Sequence, residues 1–279
     1  MHAICISDVH GNEVNFRKLC GYIRQYLPEA VFIAGDILPN YYVTDPEEFI
    51  KDFLKPLFTD LKEELKQNYP DIYLIPGNDD AAVSCEYFEL LETKELLYFV
   101  NKKVIKKDEY TVIGYPYIPP TPFLLKDWEK YDISRYVPRD AVSPEDGIRT
   151  IEIPANIKKY STIKDDLNEL SEEINDFTKT ICLFHSPPVE TNLDKMYGNG
   201  INGDKEILSV GSYAIRKFIE KKQPLVTFHG HIHESTDISG EWLDKIGETY
   251  CINAANSGNE LAVTEFDTDD LGKTKRILL

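Results

Sequence analysis

The 279-residue sequence predicts an α/β fold in which short buried strands alternate with longer helices. Apolar runs of four or five residues recur along the chain, and the apolar residues between them follow the spacing of amphipathic helices. Polar residues suited to a functional site come directly after several of the runs. This is typical of open α/β sheets, whose functional crevice lies beyond the carboxyl ends of the strands.

The N-terminal third predicts three strands, each ending at a polar loop. They are expected at residues 3–6, 30–34 and 72–75. The helix after the first strand should end at Pro28. Its expected buried stripe consists of Val14, Leu19, Ile23 and either Tyr26 or Leu27. Residues 45–68 predict a charged amphipathic helix, which Pro56 could break.

The middle of the chain interrupts this alternation. The pattern predicts a helix at 84–92, followed by short strands at 97–100, 103–105 and 110–114. Residues 115–122 are too rich in proline for either regular element. A helix is expected at 161–179, with one apolar stripe of Ile163, Leu167, Leu170, Ile174 and Phe177. We interpret 115–180 as an insertion over one edge of the core, within a single domain spanning 1–279.

The core resumes after this segment. A strand is predicted at 180–184, a helix at 207–221 and a further strand at 224–228. Short strands joined by turns rich in asparagine and glycine are expected in the tail, at 250–253, 261–265 and 276–279.

Composition and charge indicate which partners and which cellular compartment to expect. The chain has 31 basic and 48 acidic residues, a formal net charge of −17, which repels nucleic-acid backbones and anionic membranes. The five cysteines are odd in number and form no CxxC pair, which favours a reduced, intracellular protein. No signal peptide and no apolar run of roughly 20 residues is visible, so a cytoplasmic protein is expected.

Side chains that bind metals follow the predicted strands. Besides Asp8, Asp36 and Asn78, five of the six histidines lie in such loops: His10, His185, His229, His231 and His233. Imidazole, carboxylate and amide oxygen together suit Mn, Fe, Zn, Ni or Co. The absence of cysteine from the set argues against a purely structural zinc site.

The spacing of these residues suits one shared cavity. In Asp8-x-His10 and His231-x-His233, residues two apart point the same way along extended backbone. A shared carboxylate can hold two cations roughly 3.5–4 Å apart, the separation that suits in-line phosphoryl displacement. Each motif alone is common by chance, and it is their order along the chain that makes the pattern specific.

The ordered motifs are Asp8-Val9-His10-Gly11, Gly35-Asp36, Gly77-Asn78, His185 and Gly230-His231-Ile232-His233. Together they resemble the calcineurin-like metallophosphoesterase superfamily, from residue 4 to about 258 without the 115–180 segment. The resemblance implies a two-sheet α/β sandwich flanked by helices, with two divalent metal ions at the strand ends. It also implies an enzyme that hydrolyses phosphoric esters.

Carried over by position, the resemblance implies a role for each donor. Asp8, His10 and His233 would hold the first metal, while Asn78, His185 and His231 would hold the second. Asp36 would bridge the two ions. A metal-bound hydroxide would then attack phosphorus, because coordination lowers the pKa of water toward neutrality.

The sequence departs from the resembled motif at Asp79. The family usually continues Gly-Asn with histidine and then Asp or Glu, whereas this chain has Asp79 and Asp80. We predict Asn78 and Asp79 as catalytic residues, with Asp79 an acid if burial or Asp80 raises its pKa. Because its charge would repel a phosphate dianion, we favour a phosphodiester or an activated phosphate ester, without separating the ester classes.

Other interpretations stay open at this point. A relative that has lost catalysis would be a scaffold or regulatory binder, but all seven implied ligands are present here. A nuclease is disfavoured by the charge of −17. The expected partner is a small phosphorylated substrate, without nucleic acid or membrane, and the oligomeric state is open, a homodimer included.

Several residues near the motifs have alternative roles. His229 is expected to be structural, and Asn12 to cap the first helix. The tyrosines and prolines of 115–123 could form an aromatic wall for a ring or base, or a packed surface loop. The same alternatives apply to Trp128, Tyr131 and Tyr136. The arginines of the segment could offset the acidic field near an anionic substrate or be solvated, and these are Arg135, Arg139 and Arg149.

Overall fold

The computed structural model describes residues 1–42, 45–199 and 204–279, and it places two six-stranded sheets face to face. The first sheet has the order β14-β13-β1-β2-β3-β4, and the second the order β11-β12-β10-β7-β6-β5. The strands are β1 (His2–Ile6), β2 (Ala30–Ala34), β3 (Asp71–Ile75), β4 (Tyr98–Phe99), β5 (Lys103–Lys107), β6 (Tyr110–Tyr115), β7 (Thr180–Phe184), β8 (Lys195–Asn199), β9 (Lys205–Ser209), β10 (Val226–His229), β11 (Leu243–Ile246), β12 (Thr249–Asn253), β13 (Ala262–Asp267) and β14 (Lys275–Leu278).

Parallel strands form the centre of each sheet. Strands β1 to β4 are parallel neighbours, as are β12, β10, β7 and β6. The strands added in antiparallel orientation are β13 and β14 in the first sheet and β11 and β5 in the second. The inner faces pack through aromatic rings, since Phe32 of β2 stacks on Phe228 of β10 with ring centroids 5.6 Å apart. The predicted two-sheet α/β sandwich is thus confirmed.

Helices flank the two sheets. They are α1 (Glu13–Tyr26), α2 (Pro46–Glu48), α3 (Lys55–Leu65), α4 (Cys85–Thr93), α5 (Ala155–Tyr160), α6 (Ile163–Ser171), α7 (Tyr213–Lys222) and α8 (Ser235–Ser239). Helices α1, α3 and α4 contribute to the apolar cluster on the first sheet, and α6 and α7 to the cluster on the second. No helix among the described residues is long and apolar enough to cross a bilayer.

The predicted stripe of α1 is wrong at both ends. Val14, Tyr26 and Leu27 are exposed. The buried face is instead formed by Phe16, Leu19, Cys20 and Ile23. Val14 lies five positions before Leu19 and therefore on a different face of a helix with 3.6 residues per turn. Asn12 caps this helix, as predicted, by accepting a hydrogen bond from the amide of Asn15.

The charged segment at 45–68 is not broken at Pro56. A π-helix, Phe49–Leu54, connects α2 to α3, and Pro56 lies in the first turn of α3. The Lys55 amide donates to the carbonyl of Ile50, five residues back. The wider π-turn lets the chain continue past a proline that has no N–H to donate.

Residues 116–179 connect two neighbouring parallel strands, since β6 pairs with β7. The predicted helix at 161–179 is too long, because α6 ends at Ser171 and a 3₁₀ turn, Phe177–Lys179, follows. Asp176 accepts a hydrogen bond from the Thr178 amide and starts that turn, a typical local competition with helix. The expected apolar residues Ile163, Leu167, Leu170 and Ile174 are nevertheless buried.

The predicted helix at 207–221 is also wrong at its start. Residues 205–209 form β9, which pairs with β8 as an antiparallel hairpin. Helix α7 begins only at Tyr213, because the Ser212 side chain caps it by accepting from the Ile215 amide. The sequence patterns also missed β11, which pairs with β12.

Candidate metal centre

The predicted metal ligands meet at the carboxyl ends of the parallel strands of both sheets. Asp8 follows β1, Asp36 follows β2 and Asn78 follows β3. From the second sheet, His185 comes directly after β7, and His231 and His233 come after β10. The facing sheets thus bring distant parts of the chain together.

One group of donors contains Asp8, His10 and His233. The Nε2 atom of His233 lies 3.0 Å from Oδ1 of Asp8 and 3.4 Å from Nε2 of His10. One ligand atom from each of the three residues lies within 4.8 Å of the others. The arrangement could hold a metal ion.

A second group is buried beside it. Asp8, Asp36 and His185 each offer a ligand atom within 4.8 Å of the other two. The Nε2 atom of His185 is 3.2 Å from Oδ2 of Asp36 and 3.0 Å from Oδ1 of Asn78. A third group joins His10, Asp36 and Asp79. Asp8, His10 and Asp36 each belong to two of the three groups, so the groups overlap.

His231 is adjacent to these groups, but it is not part of any of the three. Its ring centroid lies 5.4 Å from that of His185. Its amide donates to both carboxylate oxygens of Asp8, at 3.1 and 3.2 Å. The backbone of this residue therefore orients a donor of the neighbouring group.

Four of the donors have backbone in the left-handed region. The φ angles are 55° at Asp8, 46° at His10, 53° at Asp36 and 69° at His231. Such conformations cost about 1–3 kcal/mol each in non-glycine residues and concentrate at functional sites. They are held by backbone hydrogen bonds between the loops, including those from Asp8 to the Gly35 carbonyl and from His10 to the Asp36 carbonyl, both 2.9 Å.

Two glycines, Gly77 and Gly230, let the backbone pass close to the side chains of the metal donors. A Cβ atom at Gly77 would lie 2.2 Å from Oδ1 of Asp36. A Cβ atom at Gly230 would lie 2.1 Å from Oγ of Ser7 and 2.4 Å from Oδ2 of Asp8. These positions admit no side chain without displacing a donor.

The buried donors shift one another's pKa values. Although burial opposes ionisation, the neighbouring His185 imidazole holds the pKa of Asp36 well below its usual range. Burial likewise opposes the charged form of His185, but the Asp36 carboxylate raises its pKa to about 10. Burial and the charge of His185 lower the pKa of His231 to about 3, which keeps a ring-nitrogen lone pair free for a metal.

The family model for calcineurin-like phosphoesterases matches residues 1–235. The chain belongs to this family. It is therefore a metal-dependent hydrolase of phosphoric esters, as the sequence motifs predicted. A search of curated proteins finds no match.

Two solved structures share the fold of this calcineurin-like phosphoesterase, and a third is less similar. The protein TT1561 of Thermus thermophilus is 15% identical, with a TM-score of 0.57, and the alignment covers 99% of this chain and 98% of that one. Another solved chain has 14% identity, a TM-score of 0.60 and the same coverages. A dimetal phosphatase from Danio rerio has 10% identity, a TM-score of 0.48 and coverages of 95% and 92%.

Asp80 is a residue whose role the sequence reasoning missed. Its buried carboxylate accepts hydrogen bonds from the amides of Ile37, Leu38 and Gly77. It thereby joins the loop of Asp36 to the loop of Asn78. The signal was present, because the family motif places Asp or Glu at this position. Burial and the charge of Asp36 raise the pKa of Asp80 to about 7.

The structure favours the structural role expected for His229. It is fully buried, and its ring nitrogens lie 2.9 Å from the carbonyl of Ser186 and 2.7 Å from Oγ1 of Thr227. Both nitrogens are thus occupied. Because burial lowers its pKa to about 3, the ring stays neutral.

The aromatic residues of 115–136 are divided between core and surface. Tyr115 and Tyr131 are buried, which fits the packed-loop interpretation, whereas Tyr136 is exposed. Trp128 is also buried, but it lines a cavity. Among the arginines, Arg135 pairs with Glu145, and Arg139 is exposed.

Proposed function

We propose that this phosphoesterase hydrolyses a phosphodiester or an activated phosphate ester at a centre of two divalent metal ions. The observation that carries the proposal is the overlap of the donor groups, in which Asp8, His10 and Asp36 each belong to two groups and Asp36 is the buried carboxylate between them. Shared carboxylates are what a pair of closely spaced cations needs. The donor set of imidazole, carboxylate and amide also suits Mn, Fe, Zn, Ni or Co.

In the proposed assignment, the donor residues are divided between the two metal ions. Asp8, His10 and His233 hold the first metal, and Asn78, His185 and His231 hold the second, with Asp36 between them. The short contacts from His233 to Asp8 and from His185 to Asn78 support this division. The fit of His231 rests on its position beside His185 and on its neutral ring.

Bound metals would supply polarisation of the phosphoryl oxygens and acidification of water. The chain itself supplies the buried Asn78 and, next to it, the half-exposed Asp79. The Asp79 side chain is 47% exposed, lies 3.7 Å from Nδ1 of His10 and accepts a hydrogen bond of 2.9 Å from the Asn78 side-chain amide. Partial burial and the charge of Asp36 raise the pKa of the Asp79 carboxyl. A carboxyl at this position is placed to act as an acid toward a leaving group.

Asp79 also supports the choice of substrate class. When ionised, its carboxylate faces the space where a phosphate would bind, and it repels a monoester dianion more than a diester monoanion. A small phosphodiester, or an ester with a good leaving group, fits this site best. The net charge of −17 disfavours nucleic acid as a partner, and the cysteine pattern favours the cytoplasm.

The direct test combines metal analysis with one assay. We expect purified protein to bind up to two transition-metal ions per chain and to hydrolyse bis-p-nitrophenyl phosphate with Mn added. Removal of metal by a chelator should abolish turnover, and added Mn should restore it. Full metal loading without turnover of any mono- or diester would instead support the scaffold or regulatory binder.

A substitution at Asp79 tests the proposed substrate preference. We expect Asp79→His to raise the ratio of p-nitrophenyl phosphate to bis-p-nitrophenyl phosphate turnover by about tenfold, because like-charge repulsion at 4 Å costs on the order of 1–4 kcal/mol between water and a protein surface. The matched control is Asp79→Asn, which removes the charge without adding an imidazole. An unchanged ratio in both variants would remove this explanation of substrate class.

A further inference from the structure

A second cavity lies outside the donor cluster, between the start of α4 and the segment that connects β6 to β7. Its volume is about 230 Å³, and its lining includes Ala82, Cys85 and Trp128 but none of the proposed metal ligands. For scale, an apolar cavity of about 150 Å³ holds a benzene molecule. The space therefore accommodates a ring with a small substituent.

Arg149 lines the cavity, and among the described residues its guanidinium forms hydrogen bonds only with backbone carbonyls. The Arg149 guanidinium donates to the carbonyls of Asp127 and Pro144, both at 3.2 Å, and to the carbonyl of Glu129 at 3.4 Å. Its Nε atom is buried and has no hydrogen-bond partner within the described part of the chain. An orphaned buried donor is costly, and a carboxylate or phosphate oxygen is its best acceptor.

The carboxylates of the lining already serve other donors. Asp127 accepts from the Ala82 amide at 2.8 Å and from the amide and hydroxyl of Thr150. Glu129 accepts from Lys126 and from the amide and hydroxyl of Thr121. Neither carboxylate forms a salt bridge with Arg149, so the positive charge is left for a ligand.

The two lysines that line the cavity differ in whether their ammonium groups have an ion-pair partner. Lys130 is paired with Asp166 and lies over the Tyr117 ring, with its Nζ 4.1 Å from the centroid. The Lys158 ammonium has no ion-pair or hydrogen-bond partner across residues 1–42, 45–199 and 204–279. Arg149 and Lys158 are therefore two positive charges without an ion-pair partner among the described residues, in a chain with an excess of acidic residues.

Apolar side chains form much of the remaining wall, including Tyr117, Trp128, Ile153 and Ile157. The wall is fixed to the core, because the Trp128 indole donates to the Asp80 carbonyl and Asp127 binds the Ala82 amide. A preformed apolar pocket with a few converging polar groups is the usual form of a small-molecule site.

We propose that this cavity binds a small organic anion, a ring or short apolar body that carries one carboxylate or phosphate group. Arg149 anchors the anionic group, Lys158 adds charge at the rim, and Trp128 and Tyr117 contact the apolar body. The site is separate from the metal centre and does not depend on its assignment.

Tryptophan fluorescence of the holoenzyme tests the proposal, with benzoate and phenylphosphonate as probes. Trp242→Phe leaves Trp128 as the single tryptophan, because the chain has two. We expect saturable quenching by the anions in the millimolar range and at least tenfold weaker binding of benzyl alcohol, the neutral control. The tighter of the two anions identifies the preferred group.

Variants in the Trp242→Phe background locate the site. Arg149→Gln should weaken binding about tenfold, Lys158→Gln about threefold, and the cavity-filling Ile153→Trp, followed by calorimetry because it adds a fluorophore, should abolish it. The matched control is Lys159→Gln, an exposed neighbour on α5 that does not line the cavity. If Arg149→Gln does not fold, Lys158→Gln and Ile153→Trp decide. Equal affinity for benzoate and benzyl alcohol, no saturable quenching, or binding unaffected by these variants would overturn the proposal.

Discussion

Asp36→Asn is expected to lower kcat for bis-p-nitrophenyl phosphate by about 10³-fold or more. Asp36 is 2% exposed and belongs to two of the three donor groups, so the proposed bridge depends on its charge. Metal ions contribute several kcal/mol to stabilisation of a phosphoryl transition state, and each 1.36 kcal/mol corresponds to a factor of ten in rate. The fold should survive, because the asparagine oxygen can still accept the hydrogen bond from the Asp79 amide.

Metal content and turnover must be measured on the same preparation. We expect Asp36→Asn to lose at least one metal ion per chain while its circular dichroism is unchanged, and His231→Ala to lose turnover in the same way. The control is Asp194→Asn, a fully buried aspartate that accepts from the amides of Glu190 and Gly211 away from the donors. Metal loading and activity of Asp36→Asn within tenfold of wild type would contradict the bridging role.

Much of the donor cluster could be predicted because parallel strands align their carboxyl ends. Asp8 and Asp36 each lie two residues after a strand, and β1 and β2 are neighbours in register. His185 follows β7 directly. Position relative to a strand end therefore carried the prediction, without knowledge of the tertiary contacts.

The packing of the two sheets against each other could not be predicted from the positions of the strands along the chain. Their packing depends on contacts such as Phe32 with Phe228, between residues nearly 200 positions apart. The left-handed backbone of Asp8 and His231 is likewise set by bonds between loops, not by local sequence preference. The resemblance to a family supplied the sandwich that the patterns could not.

The predicted helix at 207–221 started too early because its first residues fit a helix and a strand equally well. The apolar pair Ile207 and Leu208 fits a helical stripe as well as a strand, and only the cap at Ser212 separates the two. The role of Asp80 was missed because a carboxylate in a polar turn is ordinarily solvated, whereas here it accepts hydrogen bonds from three amides.

Residues 116–179, which connect β6 to β7, also contain a buried ion pair that the sequence did not predict. Lys126 and Glu129 are three residues apart and look like surface residues, yet both side chains are fully buried and form a salt bridge. Burial lowers the pKa of Lys126 and raises that of Glu129 to about 7, so both shifts disfavour the charged forms. The pair depends on mutual compensation, which predicts a large effect when one partner is removed.

Lys126→Met should destabilise the protein by about 3–5 kcal/mol at pH 8, the usual result of leaving one buried charge unpaired. The deficit should be smaller at pH 5. A carboxyl whose folded-state pKa lies above its unfolded value loses folded-state stability as pH rises between the two, and removing Lys126 raises the folded-state pKa of Glu129 further. Urea unfolding at the two pH values measures the difference.

The double variant Lys126→Met/Glu129→Gln distinguishes loss of the ion pair from loss of packing. We expect it to regain most of the stability at pH 8 and to lose the pH dependence, because neither position then carries a charge. The exposed pair of Lys273 with Asp270 provides the control, and Lys273→Met should leave the stability unchanged within the error of the measurement. If the double variant is as unstable as Lys126→Met at both pH values, the lysine acts through its aliphatic chain, which packs closely against Gly147, and not through its charge.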